Sequence, residues 1–190
     1  MPEDQELIDE ILGGSQAAME VLTRKYYKPI YAFVYRKVGN KEMAYDLTQE
    51  IFIKVIQKIQ AYSSKGTFKS WLYSIAVNHC RDYWRSADYR NSTQQSELIE
   101  NIECEQKNVS YIFEKKETRK QVTAAINLLP DYQREALILK YYHHMKIKEI
   151  AEVTETSVST VKSRLKQGLN KLAKQLERGE NDESTRVRKR

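Results

Sequence analysis

The chain has 190 residues, room for one domain or two small ones, with 41% hydrophobic residues and a formal net charge of +6. That balance suits an anionic partner, nucleic acid or a membrane surface, while no run of about 18 apolar residues offers a membrane-inserting span. The acidic start MPEDQELIDE does not read as a signal peptide, and Cys80 and Cys104 form no C-x-x-C pair. A disulfide framework and a zinc site are both unsupported, so the expectation is an intracellular, cytoplasmic protein without metal or cofactor. Six Gly and three Pro leave little punctuation for strands, which points to an all-α fold.

Glu3 to Leu12 predicts a short amphipathic helix, with Leu7, Ile8, Ile11 and Leu12 on one side. Gly13-Gly14-Ser15 ends it, and Ser15 can cap the next helix. That helix runs from Gln16 to about Val38, burying Met19, Leu22, Tyr26, Ile30, Phe33 and Val34. Pro29 inside it predicts a kink or break near Lys28. After the Gly39-Asn40 turn, a third helix spans Lys41 to Ala61. Its inner face is Ala44, Leu47, Ile51, Val55 and Ile59, widened by Phe52 and Ile56. Its outer face places Asp46, Gln49, Glu50 and Ile53 at i, i+3, i+4 and i+7, one stripe. One exposed Ile is ordinary; in line with acids and an amide it suits a docking surface for a partner protein.

The polar loop Ala61 to Thr67 leads to a fourth helix, Phe68 to about Ser86. Phe68, Trp71, Leu72, Ile75, Ala76, His79 and Tyr83 take its inner face. Ser70, Ser74, Asn78, Arg81 and Arg85 line the opposite one, with Tyr73, Val77 and Trp84 alongside. Cations next to flat apolar surface suit a single nucleic-acid strand: charges hold phosphates and rings take unstacked bases. A solvated face with half-buried aromatics is the plainer alternative. From Ala87 to about Phe113 apolar residues are sparse and acids frequent, a tether. Glu114 to Leu129 is helical again, Leu129-Pro130-Asp131 stops it, and Asp131 can cap Tyr132 to Tyr142. Ala136, Leu137 and Leu139-Lys140-Tyr141 pack that helix under the C-terminal stretch, and His143-His144 make the bend.

Lys146 to Leu176 holds two helical patterns around one tight break. Ile147, Ile150 and Ala151 share a face; the pattern stops at Thr154-Glu155-Thr156, and Ser157 stands as the next N-cap. Val161, Leu165, Leu169, Leu172 and Leu176 form the second seam. At about 100° per residue, Ser159, Ser163, Lys166 and Gln167 fall on the far face with Thr160 and Arg164 beside it. A helix-turn-helix whose second helix carries such a face reads as a major-groove reader, against the plainer alternative of an αα-hairpin. The tail from Arg178 is polar, ends VRKR, and reads as unstructured.

Four stretches together resemble the extracytoplasmic-function sigma factors of the bacterial sigma-70 family. Tyr45-Asp46-Leu47-Thr48-Gln49-Glu50-Ile51-Phe52 is similar to that family's AEDLTQEVF, and Phe68 to Asn78 to its FKSWLYRIAxN. Leu129-Pro130-Asp131-Tyr132-Gln133-Arg134-Glu135-Ala136 is similar to LPxxQRE, and Glu149-Ile150-Ala151 with Ser157 and Thr160 to Leu165 to the final helix-turn-helix. The resemblance implies region 2 in residues 1–88, a flexible linker in 89–113, region 4 in 114–177 and a basic tail in 178–190. It implies core RNA polymerase binding through Asp46, Leu47, Gln49, Glu50 and Ile53. It implies capture of the −10 single strand by Ser63, Ser64, Lys65, Thr67, Ser70, Ser74, Asn78, Arg81 and Arg85. Promoter −35 DNA falls to Ser157, Ser159, Thr160, Lys162, Ser163, Arg164, Lys166 and Gln167, and an anti-sigma factor is an expected partner. One departure stands out: the turn often has Gly where this chain has Glu155, so a positive φ there would carry a cost on the order of 1 kcal/mol.

A conventional helix-turn-helix regulator, binding duplex DNA without polymerase, is the alternative, and it leaves the Asp46–Ile53 stripe unexplained. No nucleophile–base pairing, phosphate-cradling Gly loop or metal spacing supports an enzyme.

Overall fold

The computed structural model describes residues 3–63, 66–85 and 121–187, with side chains as far as Leu176. All regular structure among them is helical. The helices are α1 Asp4–Leu12, α2 Gln16–Val38, α3 Lys41–Lys58 and α4 Phe68–Arg85 in the first unit. The second has α5 over residues 121–127, then α6 Asp131–Leu137, α7 Ile147–Val153 and α8 Val158–Val187. A short 3-10 turn, Ile59–Ala61, follows α3, and a π-helical turn, Ile138–Tyr142, continues α6.

In the first unit α2 packs on α1 and α3, and α3 on α4. Ser15 caps α2 as expected, its hydroxyl accepting from Ala18 N at 3.2 Å; at the Gly39-Asn40 turn Gly39 takes φ 75° to end α2, and the Asn40 side chain, not foreseen as a cap, accepts from Met43 N at 2.9 Å to start α3. Ile30, Phe33, Val34, Ile51, Leu72 and Ala76 are sealed in the core. Pro29 neither breaks α2 nor ends it. Tyr26 and Ile30, buried on either side of it, hold the helix together against a penalty of about 3 kcal/mol for an interior proline.

In the second unit α8 crosses α6 and α7. Val161 and Leu165 are buried, but Leu169 is 40% exposed, against the expected seam. The buried line passes instead through Gly168, where a Cβ would stand 3.0 Å from Leu137 Cδ1, because a step of four residues overshoots one helical turn by about 40°. Tyr141 is 52% exposed, also against expectation, since the π-helical turn adds a residue and rotates it outward. The backbone of α8 continues through Val187, into the stretch expected to be an unstructured tail; an established helix propagates at little cost. Residues 89–113, read as a tether, lie outside the described residues.

The two units pack against each other, α4 against α7 and α2 against the π-helical turn. Among the described residues no helix is long and apolar enough to cross a membrane.

Candidate nucleic-acid interface

Three surfaces answer to the sequence expectations. On α3, Asp46, Gln49, Glu50 and Ile53 are exposed, whereas Leu47 is buried at 3% exposure. Leu47 thus holds α3 in the core and cannot itself touch a partner. Two further residues belong to the outer face. Ile56, expected on the inner side, is 51% exposed, and with Tyr45 it flanks the 53%-exposed Ile53. The spacing Tyr45, Gln49, Ile53, Ile56 carries the signal: i, i+4, i+8, i+11 is one helical face. Gln49 Nε2 donates to the Tyr27 hydroxyl at 2.9 Å, which fixes the amide. Glu50 Oε2 lies 2.8 Å from Nε2 of His79, whose Nδ1 accepts from Lys54 Nζ at 2.7 Å. Burial and the Lys54 charge push the His79 imidazole below its usual pKa, with Glu50 opposing them.

The loop before α4 shapes a pocket of about 220 Å³ lined by Tyr62, Ser63, Gly66, Thr67, Ser70, Trp71 and Ser74. Thr67 Oγ1 caps α4, accepting from Ser70 N at 3.1 Å, and donates to Ser70 Oγ at 2.9 Å. Tyr62 stacks edge-on against Trp71, with ring centroids 5.3 Å apart. Ser64 and Lys65 lie outside the described residues. Along α4, Arg85 is exposed, Ser74, Asn78 and Arg81 are half-buried, and Ser70 is buried. Tyr73 and Val77, expected beside an open strand-binding face, are buried completely. The second unit packs on α4, and Tyr73 is closed in by its His143 together with Phe33 of the first unit.

Charged and polar side chains line this closure. Lys37 at the end of α2, fully buried, reaches Asp131 Oδ1 at 2.6 Å and Glu135 Oε2 at 3.1 Å. Arg81 Nη2 donates to the other Glu135 oxygen at 2.6 Å. Asp131 therefore begins α6 behind Pro130 without capping it, because its carboxylate serves Lys37 and Arg134. Burial raises the Asp131 carboxyl, but the two cations outweigh it and hold the pKa below the usual range. His143 inserts between Phe33 and Tyr73; its Nδ1 lies 2.7 Å from the Tyr73 hydroxyl, while Lys69 Nζ donates to its carbonyl at 2.7 Å. Glu155 takes φ 54°, the positive value foreseen for the turn, and its carboxylate accepts from Asn78 Nδ2 at 3.0 Å.

The third surface is the start of α8. Ser157 caps it, its hydroxyl accepting from Thr160 N at 3.1 Å and lying 2.8 Å from Ser159 Oγ. Ser159, Lys162, Ser163, Lys166 and Gln167 are exposed, and Thr160 and Arg164 half-buried. The Arg164 guanidinium sits 5.4 Å from the centre of the Tyr132 ring, which limits its swing. Gln167 donates to Ser163 Oγ at 3.0 Å and accepts from the buried Gln133 at 3.1 Å, so its amide is held in one orientation.

These features define a protein of two helical modules, one with an exposed apolar stripe and a pocketed loop, the other with a helix-turn-helix. The family model for Sigma-70 region 2 matches residues 22–90, and that for Sigma-70 region 4 matches residues 119–172. The chain is 30% identical over 181 residues to the ECF RNA polymerase sigma factor SigW of Bacillus subtilis, covering 89% of this chain and 94% of that one. It is 32% identical over 162 residues to SigE of Mycolicibacterium smegmatis, covering 84% of this chain but only 63% of that relative's length. In fold it is similar to the sigma factor RpoE of Bartonella quintana, solved in complex with the anti-sigma factor NepR, with a TM-score of 0.65 at 20% identity over 83% of this chain and 96% of that one. The chain belongs to the extracytoplasmic-function sigma factors of the sigma-70 family.

Proposed function

We propose that this chain docks on core RNA polymerase through the exposed face of α3, reads −35 duplex with the first turns of α8, and captures a −10 base in the loop pocket before α4. Residues 1–88 and 114–177 are the two reading modules, joined by 89–113. The chemistry belongs to polymerase: this chain supplies recognition in the cytoplasm and carries no catalytic group of its own. The observation that supports the reading best is α8, whose capped start presents Ser159, Lys162, Ser163 and Lys166 outward while Val161 and Leu165 anchor the opposite side. Such a helix fits the major groove, and hydroxyl, amide and cationic side chains meet base edges and phosphates there. The similar Bartonella sigma factor is in complex with an anti-sigma factor, and a partner of that kind is proposed for this chain too.

The test is promoter-selected transcription with purified bacterial core polymerase. A defined start site that depends on the chain is expected. Arg164→Ala or Gln167→Ala should weaken −35-dependent initiation, since each specific base interaction is worth about 1–3 kcal/mol. If no start site appears and the chain alone binds duplex tightly as a dimer, a conventional regulator is the correct reading.

A further inference from the structure

Gln133 is a polar side chain in an apolar place. It lies on α6 at 1% exposure, where both it and Leu137 come up against Gly168 of α8. Its Nε2 donates to Gln167 Oε1 at 3.1 Å, and its own Oε1 has no hydrogen-bond partner among the described residues. A buried amide with part of its bonding unmet costs stability that an apolar side chain of the same size would not. The bond it does make runs to a side chain of the exposed reading face. We propose that Gln133 is a specificity-determining positioning residue: from beneath α8 it sets which way round Gln167 presents its amide to the major groove, and so which base that residue accepts. The proposal rests on the reading of −35 duplex by α8.

The donors and acceptors available explain why the exposed amide does not turn over. Gln167 Oε1 accepts from Gln133, and Gln167 Nε2 donates to Ser163 Oγ at 3.0 Å. Ser163 does not decide this order, because a hydroxyl both donates and accepts. Gln133 decides it: with Gln167 reversed, two NH2 groups would face each other. Reversing Gln133 as well would bury an NH2 without a partner in place of a carbonyl oxygen, the rarer and costlier kind of orphan. One lone pair on Oε1 and one N–H of Gln167 stay unused. An acceptor and a donor side by side in a fixed order match the N6 donor and N7 acceptor of adenine, whereas guanine offers two acceptors on that edge. Gly168 makes the reach possible: without a Cβ there, α8 settles close enough to α6 for a buried side chain to touch its exposed face. Beside Gln133 on α6, the Tyr132 ring holds the Arg164 guanidinium at 5.4 Å. Two neighbouring residues of α6 thus steady two side chains of α8 that lie about one helical turn apart.

The experiment uses the full chain assembled with bacterial core polymerase and a promoter pool in which each −35 position carries every base, transcripts being counted by sequencing. The parent should favour adenine about tenfold or more at one −35 position, and Gln167→Ala should flatten that position. Gln133→Met, apolar and close in volume, should bring the preference there to about threefold or less while leaving the other positions within about twofold. Its urea midpoint should equal or exceed the parent's, because the unmet carbonyl is gone. Gln133→Leu repeats the test with a second apolar shape. Gln167→Ala combined with Gln133→Met should discriminate no worse than Gln167→Ala alone, since the buried residue acts through the exposed one. Adenine preference kept by both Gln133 variants, or a loss spread evenly over the −35 positions, overturns the positioning role. A midpoint well below the parent's in both variants overturns it too, by showing that Gln133 serves packing. A parent whose −35 preference is untouched by Gln167→Ala refutes this inference alone; a parent that shows no −35 preference, or starts no transcript, refutes the reading of α8 on which it rests.

Discussion

Gly168 stands where α8 packs tightly on α6. A Cβ there would meet Leu137 Cδ1 at 3.0 Å and Gln133 Cβ at 3.5 Å. Gln133 in turn orients Gln167, so the contact sets both the packing and the reading face. Gly168→Val forces Leu137 aside and is expected to lower stability by about 1–3 kcal/mol, through overpacking. Gly168→Ala adds one methyl against a rotatable side-chain end and gains about 1 kcal/mol of helix propensity, so it should change stability little. Urea midpoints distinguish the two, and a valine variant as stable as the parent would mean that α8 does not rest on α6 at this point. Glu155 is a residue of the opposite kind. Its positive φ is legible in the sequence, because a family turn that favours glycine is filled by a side chain. Its use is not legible, because the partner Asn78 lies 77 positions earlier.

At the scale of elements, α3 shows how two faces of one helix answer to different substitutions. Ile53 and Ile56 are half-exposed and pack little, whereas Leu47 is sealed against the core. Ile53→Glu with Ile56→Glu should reduce co-purification with core polymerase at least tenfold while leaving the thermal midpoint within a few degrees. Leu47→Ala should instead destabilise the first module by about 2–5 kcal/mol, the usual result of a core cavity. Polymerase binding untouched by the double glutamate variant would remove α3 as the docking face. Periodicity identifies α1 to α4 and the helix-turn-helix because each buries one apolar stripe. It fails where a helix has two covered sides. On α4, Tyr73 is closed in by Phe33 of the first module and His143 of the second, and Val77 is sealed beside it, so that in the sequence alone the pair resembles an open binding platform. A local pattern records that a residue is apolar. It does not record which module covers it, and the Lys37–Glu135 and Arg81–Glu135 pairs span 98 and 54 positions.

For the whole molecule, the state that matters is how often the modules are apart, and His143 makes that state depend on pH. In the closed chain the imidazole is wedged against Phe33 and Tyr73, and its Nε2 has no partner among the described residues. Burial, then the Arg36 charge from α2, the Lys69 charge from α4 and His144 in its own loop, drive its pKa from 6.5 down to about 3. Opening returns the ring to water and to an ordinary value near 6.5. Closure is therefore fully favoured well above pH 6.5, where the ring is neutral in both states, and is lost progressively as pH falls toward 3, because only the open form takes the proton. From pH 7 to pH 5.5 the closing equilibrium should weaken roughly eightfold, slightly under the tenfold that corresponds to about 1.4 kcal/mol. Asp131, held below the usual carboxyl range, stays ionised over this interval, and His79 sits between Lys54 and Glu50 within one module, so opening leaves its contacts in place. Energy transfer between a dye on each module reads the equilibrium directly. His143→Gln, which cannot take the proton, should flatten the response. An unchanged signal over that range, or the same change in His143→Gln, would show that the imidazole is not what acid acts on.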